Sequence, residues 1–355
     1  MRTGARAHLS WLAEFLVPWF AVGGDESGAD ATVTFSVLSD REWAALRSHA
    51  GAGAPADVGC FVLDRGVVRH PAWRDGSGAC TVLDPELDAL YRVDPAARLV
   101  EISTGRHEQR ARVALMRVVR ELALAHAVRS GALPLHAAAV ARASRGVLFV
   151  GPKRAGKTTL LLKALGVPGL DFVANDRVVA WTADGLARGM PSIVALRPEV
   201  LRGSASLARS LRQHGYHHAV TMTEARAGRV SQRTDGAADL TPAQLCDALG
   251  TTPTPEATIA AVVFPVASLD GRSSGLERVT PHEALPRMLD GVFGSRATAV
   301  SEVFGQLVGG EPAGLPATPE RCRRLLARVS AFVCRFDPRT LDAADAAAMV
   351  AFASS

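Results

Sequence analysis

The segment of the chain most able to do chemistry is a run with two glycines at fixed positions, followed by a lysine and a threonine. This run, Gly151-Pro-Lys-Arg-Ala-Gly156-Lys157-Thr158, fits the pattern G-x-x-x-x-G-K-[ST] at every fixed position. The glycines let the backbone wrap closely around an anion, and backbone N–H groups together with the start of a following helix point towards it. Lys157 supplies a compact positive charge for the β and γ phosphates, and the Thr158 hydroxyl can ligate Mg²⁺. The motif therefore predicts binding of a nucleoside triphosphate, taken to be ATP, with Mg²⁺.

Lysine is concentrated around this motif. It occurs only at Lys153, Lys157 and Lys163, whereas arginine is the basic residue elsewhere. Lys157 stands at a position that calls for an ammonium rather than a guanidinium group. Lys153 and Arg154 either add phosphate contacts or are solvated loop charges, and Lys163 is expected at the surface. The residues predicted to bind the nucleotide are Gly151, Pro152, Lys153, Arg154, Ala155, Gly156, Lys157, Thr158 and Thr159.

A second group of candidates lies on either side of the motif. Asp176 follows Asn175 between two apolar runs, where it could hold Mg²⁺ or face a substrate hydroxyl, although Asn-Asp is also an ordinary turn sequence. His136 lies within an apolar run, where a histidine is either a buried core residue or a catalytic one. Arg177 and Arg272 could stabilise the charge of a transferring phosphoryl group.

A phosphate-binding loop needs a buried strand before it and a helix after it. The apolar run Gly146–Val150 predicts that strand, and Lys157–Leu165 predicts the helix. Leu133–Val140 is expected to form a second buried strand, which carries the histidine. The acidic turn is flanked by two further predicted strands, Phe172–Val173 and Val178–Trp181.

The chain is expected to divide into an N-terminal module, residues 1–105, and a larger domain, residues 106–355. Short apolar runs between Gly, Pro and Asp predict strands in the module at Ala31–Leu38, Gly59–Leu63, Cys80–Leu83 and Leu99–Ile102. In the domain, strands are predicted at Ile193–Leu196 and Ile259–Val266, and helices at His107–Arg129, from Pro198, and at Pro281–Val292, Pro319–Phe332 and Leu341–Phe352. The polar stretch 203–256 has no clear period and predicts an insertion: an ordered segment, a lid or a mobile loop.

Composition excludes several classes of protein. The 355 residues are 48% hydrophobic and 21% charged, as in a folded globular protein. The net charge is +5, but no Lys/Arg block with interleaved aromatic residues is present, so no nucleic-acid partner is expected. Five scattered cysteines without a C-x-x-C pair argue against a disulfide framework or a zinc site and favour a reducing cytoplasm.

Two segments allow more than one interpretation. The apolar stretch Trp11–Val22 could be a signal or an anchor, but Glu14 and Pro18 interrupt it and it is too short to span a bilayer. A docking helix or strand is therefore preferred, and no membrane span is expected. The histidines His214, His217 and His218 suggest a metal site, yet no cysteine or carboxylate lies nearby at matching spacing, and a polar loop explains them as well.

Taken together, the histidine-containing run Leu135–Val140, the motif and Val173-Ala-Asn-Asp-Arg-Val178 resemble the core of the HPr serine kinase/phosphorylase family. They are more closely similar to the HPr-kinase-like proteins found with peptide and natural-product biosynthesis. The clear match covers residues 133–181, and Arg335-Phe-Asp-Pro338 with the alanine-rich segment after it is also similar. The resemblance implies an α/β fold with a P-loop core of the HPr-kinase/phosphoenolpyruvate-carboxykinase type and a mixed α+β N-terminal module.

The resemblance also implies roles for single residues. Gly156 and Lys157 would contact phosphates, Thr158 and Asp176 would bind Mg²⁺, and His136 would line the catalytic pocket. The residues predicted to take part in catalysis are thus Asp176, His136, Lys157 and Asn175.

The sequence departs from the family at Asn175, where the family has the first acid of a pair. Asparagine cannot take a proton, so the identity of the general base is left open. We expect the change Asn175→Asp, which restores the family pattern, to be tolerated. The glycine-rich sequence that accompanies phosphorolysis in the bifunctional enzymes is not evident, which argues against a phosphorylase activity.

The function predicted from these features is a cytoplasmic kinase that transfers the γ-phosphoryl group of ATP to a hydroxyl, such as a Ser or Thr of a protein or peptide. A GTPase would need an N-K-x-D segment and a transporter ATPase an L-S-G-G-Q-like segment, and neither is present. Two alternatives stay open. One is a nucleotide-binding partner or regulatory module without phosphoryl transfer, which Asn175 favours. The other is a kinase for an amino acid or a natural-product alcohol. A homo-oligomer is also left open.

Overall fold

The computed structural model describes residues 3–21, 31–50, 54–62, 66–213, 238–269, 274–293, 300–308 and 317–354. Within these ranges the chain forms two large β-sheets and one two-stranded sheet, with helices packed around them. Both large sheets contain parallel as well as antiparallel neighbours. The chain is therefore a mixed α/β protein, as the sequence predicts.

The first large sheet is built from the N-terminal part of the chain. Its strands run in the order β1-β6-β5-β4-β3-β2, and every neighbouring pair is antiparallel except β1 and β6, which are parallel. In chain order the elements are α1 (Thr3–Leu16), β1 (Thr32–Val37), α2 (Asp40–Ala50), β2 (Ala56–Val62), β3 (Val67–Arg74), β4 (Cys80–Asp84), β5 (Ala89–Asp94), β6 (Leu99–Thr104) and α3 (Glu108–Arg129).

Helix α3 connects this sheet to the rest of the molecule. Its first half contributes buried residues such as Val113 and Met116 to the core of the first sheet. Its second half contributes Leu124 and Val128 to a separate core that includes Val179 of the second sheet. One helix thus packs against both sheets.

The second large sheet has the order β11-β10-β7-β8-β14-β16-β15, with β9 paired to β7 and with β11 also paired to β14. In chain order the elements of this part of the molecule, which also contains the two-stranded sheet of β12 and β13, are β7 (Ala132–Arg142), β8 (Arg145–Val150), α4 (Lys157–Leu165), β9 (Asp171–Ala174), β10 (Arg177–Trp181), β11 (Leu186–Met190), β12 (Val194–Leu196), α5 (Pro198–Arg202), α6 (Ala205–Gln213), β13 (Ala238–Leu240), α7 (Pro242–Leu249), β14 (Glu256–Ala267), β15 (Gly275–Val279), α8 (Pro281–Asp290), α9 (Gly305–Val308), α10 (Thr318–Leu326), β16 (Ser330–Phe336) and α11 (Ala343–Ser354).

Strand β7 is buried on both faces, which explains why its sequence is almost entirely apolar apart from His136 and the terminal Arg142. Alternate residues point to opposite sides. Ala138 and Val140 lie in the core that contains helices α4 and α11, whereas Leu133, Leu135 and Ala137 lie in the core that contains α8 and α10. A central position between two layers of helices therefore holds this strand rigidly in the middle of the sheet.

One predicted helix is only partly helical. The segment Pro319–Phe332 was expected to be one helix, but α10 ends at Leu326 and the chain continues as β16 from Ser330. Four of the residues in β16 form a buried run, Ala331-Phe-Val-Cys334, that pairs in parallel with β14. A short apolar run does not distinguish a helix from a buried strand by itself, and here the non-local pairing decides.

The stretch 203–256 is ordered at both of its described ends. Helix α6 places Leu207 and Leu211 in the same core as α4, and α7 adds Leu245 and Cys246 to it. Strand β13 pairs with β12 in the two-stranded sheet. Residues 214–237, which include the three histidines weighed as a metal site, lie outside the described residues.

The N-terminal apolar stretch packs against both large sheets: Leu12 and Phe15 of α1 lie in the core of the first sheet, and Trp19 lies in a core of the second. Helix α1 ends at Leu16, and in the turn that follows the indole nitrogen of Trp19 donates a 2.7 Å hydrogen bond to the carbonyl oxygen of Val173 in β9. The ring packs edge-on against Phe172, with ring centroids 5.9 Å apart. A side chain at Gly189 would collide with both Val173 and Trp19. None of the described helices is both long and apolar enough to cross a membrane.

We predict that Trp19→Phe lowers the free energy of unfolding by about 1–3 kcal/mol, because it leaves the buried Val173 carbonyl without its indole donor. Urea unfolding monitored by far-UV circular dichroism measures this. Trp11→Phe is the matched control, since Trp11 lies on α1 and its indole nitrogen donates to no described residue. Equal unfolding free energies for the two variants would contradict the anchoring role of Trp19.

Candidate functional site

The candidate residues converge on the middle of strand β7. The register pairs Ala137 of β7 with Val150 of β8 on one side and His136 with Arg177 of β10 on the other. The backbone N–H of Ala137 also donates to the carbonyl of Asp176, at 3.1 Å. The glycine-containing loop that follows β8 and the acidic turn that precedes β10 therefore flank the same two residues of the strand. The loop and the acidic turn, which are distant in sequence, are thus brought together beside β7.

The loop between β8 and α4 has the strand–loop–helix context that its sequence motif requires. Arg154 and Gly156 both have positive φ angles, 72° and 104°. A Cβ atom on Gly156 would lie 2.5 Å from Cζ of Phe336 and 3.1 Å from Cβ of Ala267. The carbonyl oxygen of Ala155 accepts a 3.2 Å hydrogen bond from the backbone of Ala267. The ends of β14 and β16 thus brace the loop so closely that position 156 must be glycine.

The Lys157 ammonium group is buried inside this loop. Its Nζ donates to the carbonyl oxygens of Gly151 and Pro152, at 2.8 and 3.0 Å. Gly156 is the N-cap of α4, and no side chain caps the helix there. The first turn of α4 therefore keeps backbone N–H groups and a lysine beside the loop. The other motif side chains surround it: Lys153 and Arg154 are exposed, and Thr158 and Thr159 are half-buried.

His136 and Asp176 form a close pair at the opposite side of β7. Nε2 of His136 lies 3.2 Å from Oδ1 of Asp176, and the two side chains are 9% and 43% exposed. Burial by itself would raise the pKa of Asp176, but the hydrogen bond from His136 and the charges of His136, Arg177 and Lys157 outweigh it and hold that pKa well below its usual range. Asp176 is therefore ionised and partly exposed, and Lys157 is close enough for its charge to lower the pKa of Asp176.

Arg177 lies behind this pair as a buried cation. Its Nη2 donates a 2.7 Å hydrogen bond to the carbonyl of Val62 in β2, and its Nη1 lies 3.9 Å from Oε1 of Glu121 in α3. Its guanidinium carbon lies 4.5 Å from the ring centre of Phe293, a ring that also packs at a tilt against His136. Burial raises the pKa of Glu121, while the charge of Arg177 opposes that rise. The site is thus supported by residues from both sheets.

Asn175 has a structural role that its sequence context does not reveal. The side chain is buried, and its Nδ2 donates a 3.3 Å hydrogen bond to the carbonyl oxygen of Ile193. Its Oδ1 accepts no hydrogen bond from the described residues. An aspartate would lose the donor and set a carboxylate oxygen against the Ile193 carbonyl. The structure therefore argues against the expectation that Asn175→Asp is tolerated.

Sequence reasoning missed Glu121 and the segment after α8. The carbonyl oxygen of Gly291 accepts a 2.7 Å hydrogen bond from the His136 backbone, and any side chain at position 291 would collide with Val150.

Glu121 could have been found from the sequence, because it lies four residues after Arg117 on the otherwise apolar buried face of α3. Two charged residues at that spacing on a buried face indicate a buried ion-pair network.

Thr158 and Asp176 are the predicted Mg²⁺ ligands. An ionised, partly exposed carboxylate and a hydroxyl at the first turn of α4 fit the preference of Mg²⁺ for one or two carboxylates completed by phosphate oxygens and water. Across the ranges that the structure describes, no group of three or more His, Cys, Asp and Glu side chains could hold a metal ion. Arg272, the other candidate for phosphoryl contact, is outside the described residues.

No protein-family model matches the sequence, and no curated protein matches it significantly.

We predict that Gly156→Ala destabilises the protein by about 2–5 kcal/mol, because it adds a steric clash with Phe336 to the strain of a positive φ. Gly185→Ala is the matched control. Gly185 also has a positive φ, 67°, but nothing lies within 4 Å of its added Cβ. The control should lose about 1–2 kcal/mol, from backbone strain alone. Chemical unfolding of both variants measures the difference, and equal losses would show that the loop is not packed as described.

Proposed function

We propose that this chain is an ATP- and Mg²⁺-dependent kinase of the HPr-kinase-like type, which transfers the γ-phosphoryl group to a hydroxyl acceptor. The observation that carries the proposal is the convergence on β7. The loop with the buried Lys157 lies on one side of the strand, and the ionised Asp176 lies on the other, within electrostatic reach of that lysine. A phosphate-binding loop with its lysine and a carboxylate that can hold Mg²⁺ are recurring parts of phosphoryl-transfer sites.

In this proposal the loop is the phosphate site. Backbone N–H groups of residues 151–157 and the uncapped start of α4 would bind the phosphates, because they offer donors and a positive helix dipole end. Lys157 would exchange its two loop carbonyls for phosphate oxygens. Thr158 and Asp176 would hold Mg²⁺, which neutralises charge on the phosphates when bound.

Asp176 and His136 would act on the acceptor side. The low pKa of Asp176 makes it a weak base, but a loose, metaphosphate-like transition state places little demand on base strength. His136 would fix the orientation of the carboxylate through its Nε2 contact. Arg177 is also near the carboxylate, with its Nε 3.9 Å from Oδ2 of Asp176. The chemistry then depends mainly on positioning and charge.

The acceptor we favour is a Ser or Thr hydroxyl of a protein or peptide, and we place the reaction in the cytoplasm. The five cysteines are all free and buried, which suits a reducing compartment. A nucleotide-binding module without transfer is the second candidate, and the non-ionisable Asn175 is the observation that favours it. A small-molecule kinase would use the same residues with a different acceptor.

We predict that Lys157→Ala weakens binding of ATP with Mg²⁺ by roughly 10–100-fold, because it removes charge-assisted hydrogen bonds to the phosphates. Lys163→Ala is the matched control, since Lys163 lies on the same helix and its Nζ contacts only the carbonyl of Gly203, at 3.4 Å, among the described residues. Calorimetric titration measures both affinities, and thermal melts check that both variants fold. Wild-type affinity in Lys157→Ala would refute the phosphate site.

We predict that Asp176→Asn abolishes phosphoryl transfer and leaves nucleotide binding within a few-fold of wild type, since the loop makes most of the phosphate contacts. Asp184→Asn, at an exposed turn, is the matched control and should transfer normally. The assay follows label from γ-labelled ATP into Ser/Thr-containing peptides, a protein acceptor and free amino acids. These acceptors separate the peptide kinase from the small-molecule kinase.

Two outcomes of this assay count against the kinase assignment. Wild-type transfer rates in Asp176→Asn would remove Asp176 from the catalytic residues. A wild-type protein that binds ATP but transfers label to none of the acceptors would favour the binding module instead.

A further inference from the structure

A separate cavity of about 230 Å³ lies in the first sheet, at the carboxyl ends of its two parallel strands. Strands β1 and β6 end side by side, with Val37 beside Thr104, and each leads within a few residues into a helix, α2 or α3. The crevice beyond the carboxyl ends of parallel strands is the place where open α/β sheets bind ligands. The cavity therefore occupies a favourable position in the fold.

The electrostatics of the cavity favour an anion. Arg106, His107 and Arg110 line it, and they lie at or just before the first turn of the 22-residue helix α3. Neither Arg106 nor Arg110 forms a side-chain ion pair or hydrogen bond with any residue whose position is described. Among the residues that the structure describes, the side-chain cap at this helix start is one long contact of 3.5 Å, from the Arg110 backbone N–H to Nδ1 of His107. A helix dipole and two arginines thus point positive charge into one space.

Two carboxylates also line the cavity, but they do not neutralise these arginines. Asp88 accepts hydrogen bonds from the indole of Trp43 and from Arg47, both at 3.0 Å. Asp40 is exposed and lies in the first turn of α2, where its charge is favourable to the helix dipole. Trp43 itself presents an aromatic surface to the cavity.

A buried hydroxyl supplies an independent indication of a ligand. Thr104 lines the cavity and is 1% exposed, and its Oγ1 has no hydrogen-bond partner among the described residues. A buried polar group without a hydrogen-bond partner destabilises a protein. A bound ligand that supplies a partner for the Thr104 hydroxyl would account for this unpaired group. The hydroxyl would donate to an oxygen of an anion that reaches it.

We propose that this cavity is a binding site for a small oxyanion, a phosphate- or carboxylate-bearing molecule, held by Arg106, Arg110 and Thr104 beside Trp43. The size of the cavity admits a small metabolite, since one water takes up about 30 Å³ in the liquid. The site does not depend on the proposed kinase activity, because it uses none of the residues around β7.

The test uses the indole N–H signal of Trp43 in proton–nitrogen correlation spectra, assigned by its loss in Trp43→Phe. Titrations with inorganic phosphate, O-phosphoserine and L-glutamate at constant ionic strength, with chloride as the reference, identify which anion binds. We expect a saturable shift of this signal for at least one of them. The same titration of Lys157→Ala should give the same shift, which separates this cavity from the loop after β8.

The variants Arg106→Gln and Arg110→Gln should each weaken that binding by about tenfold, while Arg74→Gln, on an exposed strand end, should not change it. Thr104→Val should also weaken binding, yet leave the thermal stability equal or higher, because it removes an unsatisfied buried hydroxyl. Absence of any saturable shift, or equal affinity in the double variant Arg106→Gln/Arg110→Gln, would overturn the proposal.

Discussion

The architecture of the candidate site depends on the burial of one guanidinium group. Arg177 is 5% exposed, and a buried charge destabilises a fold strongly unless it is paired. Its partners are the Val62 carbonyl of the first sheet, Glu121 of α3 and Asp176 of the acidic turn. None of these segments can move away without leaving the charge less well paired. This constraint links the first sheet to the turn that carries the candidate carboxylate.

Positive charge exceeds negative charge around this turn. Arg120, Arg177 and Lys157 face two carboxylates, Glu121 and Asp176. The crowding is visible in the pKa of Arg120, which burial and then the charge of Arg177 lower to about 9. Bound phosphate groups would offset this excess, whereas a cation alone would increase it. The electrostatics thus favour an anionic ligand, in agreement with the function proposed from the loop.

The parts of the fold that sequence predicts are those with local signals. Helix α4 has the bounds predicted for it, Lys157–Leu165, because a glycine-rich turn and an apolar face mark it. Strand β3 carries no strand prediction, because Pro71 and charged residues interrupt its alternation. The first three residues of β16, 330–332, fall in the helix predicted for Pro319–Phe332, because their strand pairing with β14 is non-local.

The candidate site likewise has a part with local sequence signals and a part that depends on non-local contacts. Its loop is a local motif that the sequence displays in full, and the acidic turn is a local candidate. The contacts that hold the turn join residues far apart in the chain, as in the hydrogen bond between Arg177 and Val62. No spacing rule predicts such a pairing. The candidate residues are therefore visible in the sequence, whereas the contacts that support them are not.

The single carboxylate of the turn follows from its surroundings. A second acid at position 175 would be buried beside Asp176 and against a carbonyl oxygen, so like-charge repulsion and burial would raise the pKa of one of the pair. With asparagine there, Asp176 keeps a pKa below its usual range and stays ionised. The turn therefore offers a negative charge rather than a strong base. Such a charge can hold a cation and orient a hydroxyl, which are the two contributions that transfer through a loose transition state requires.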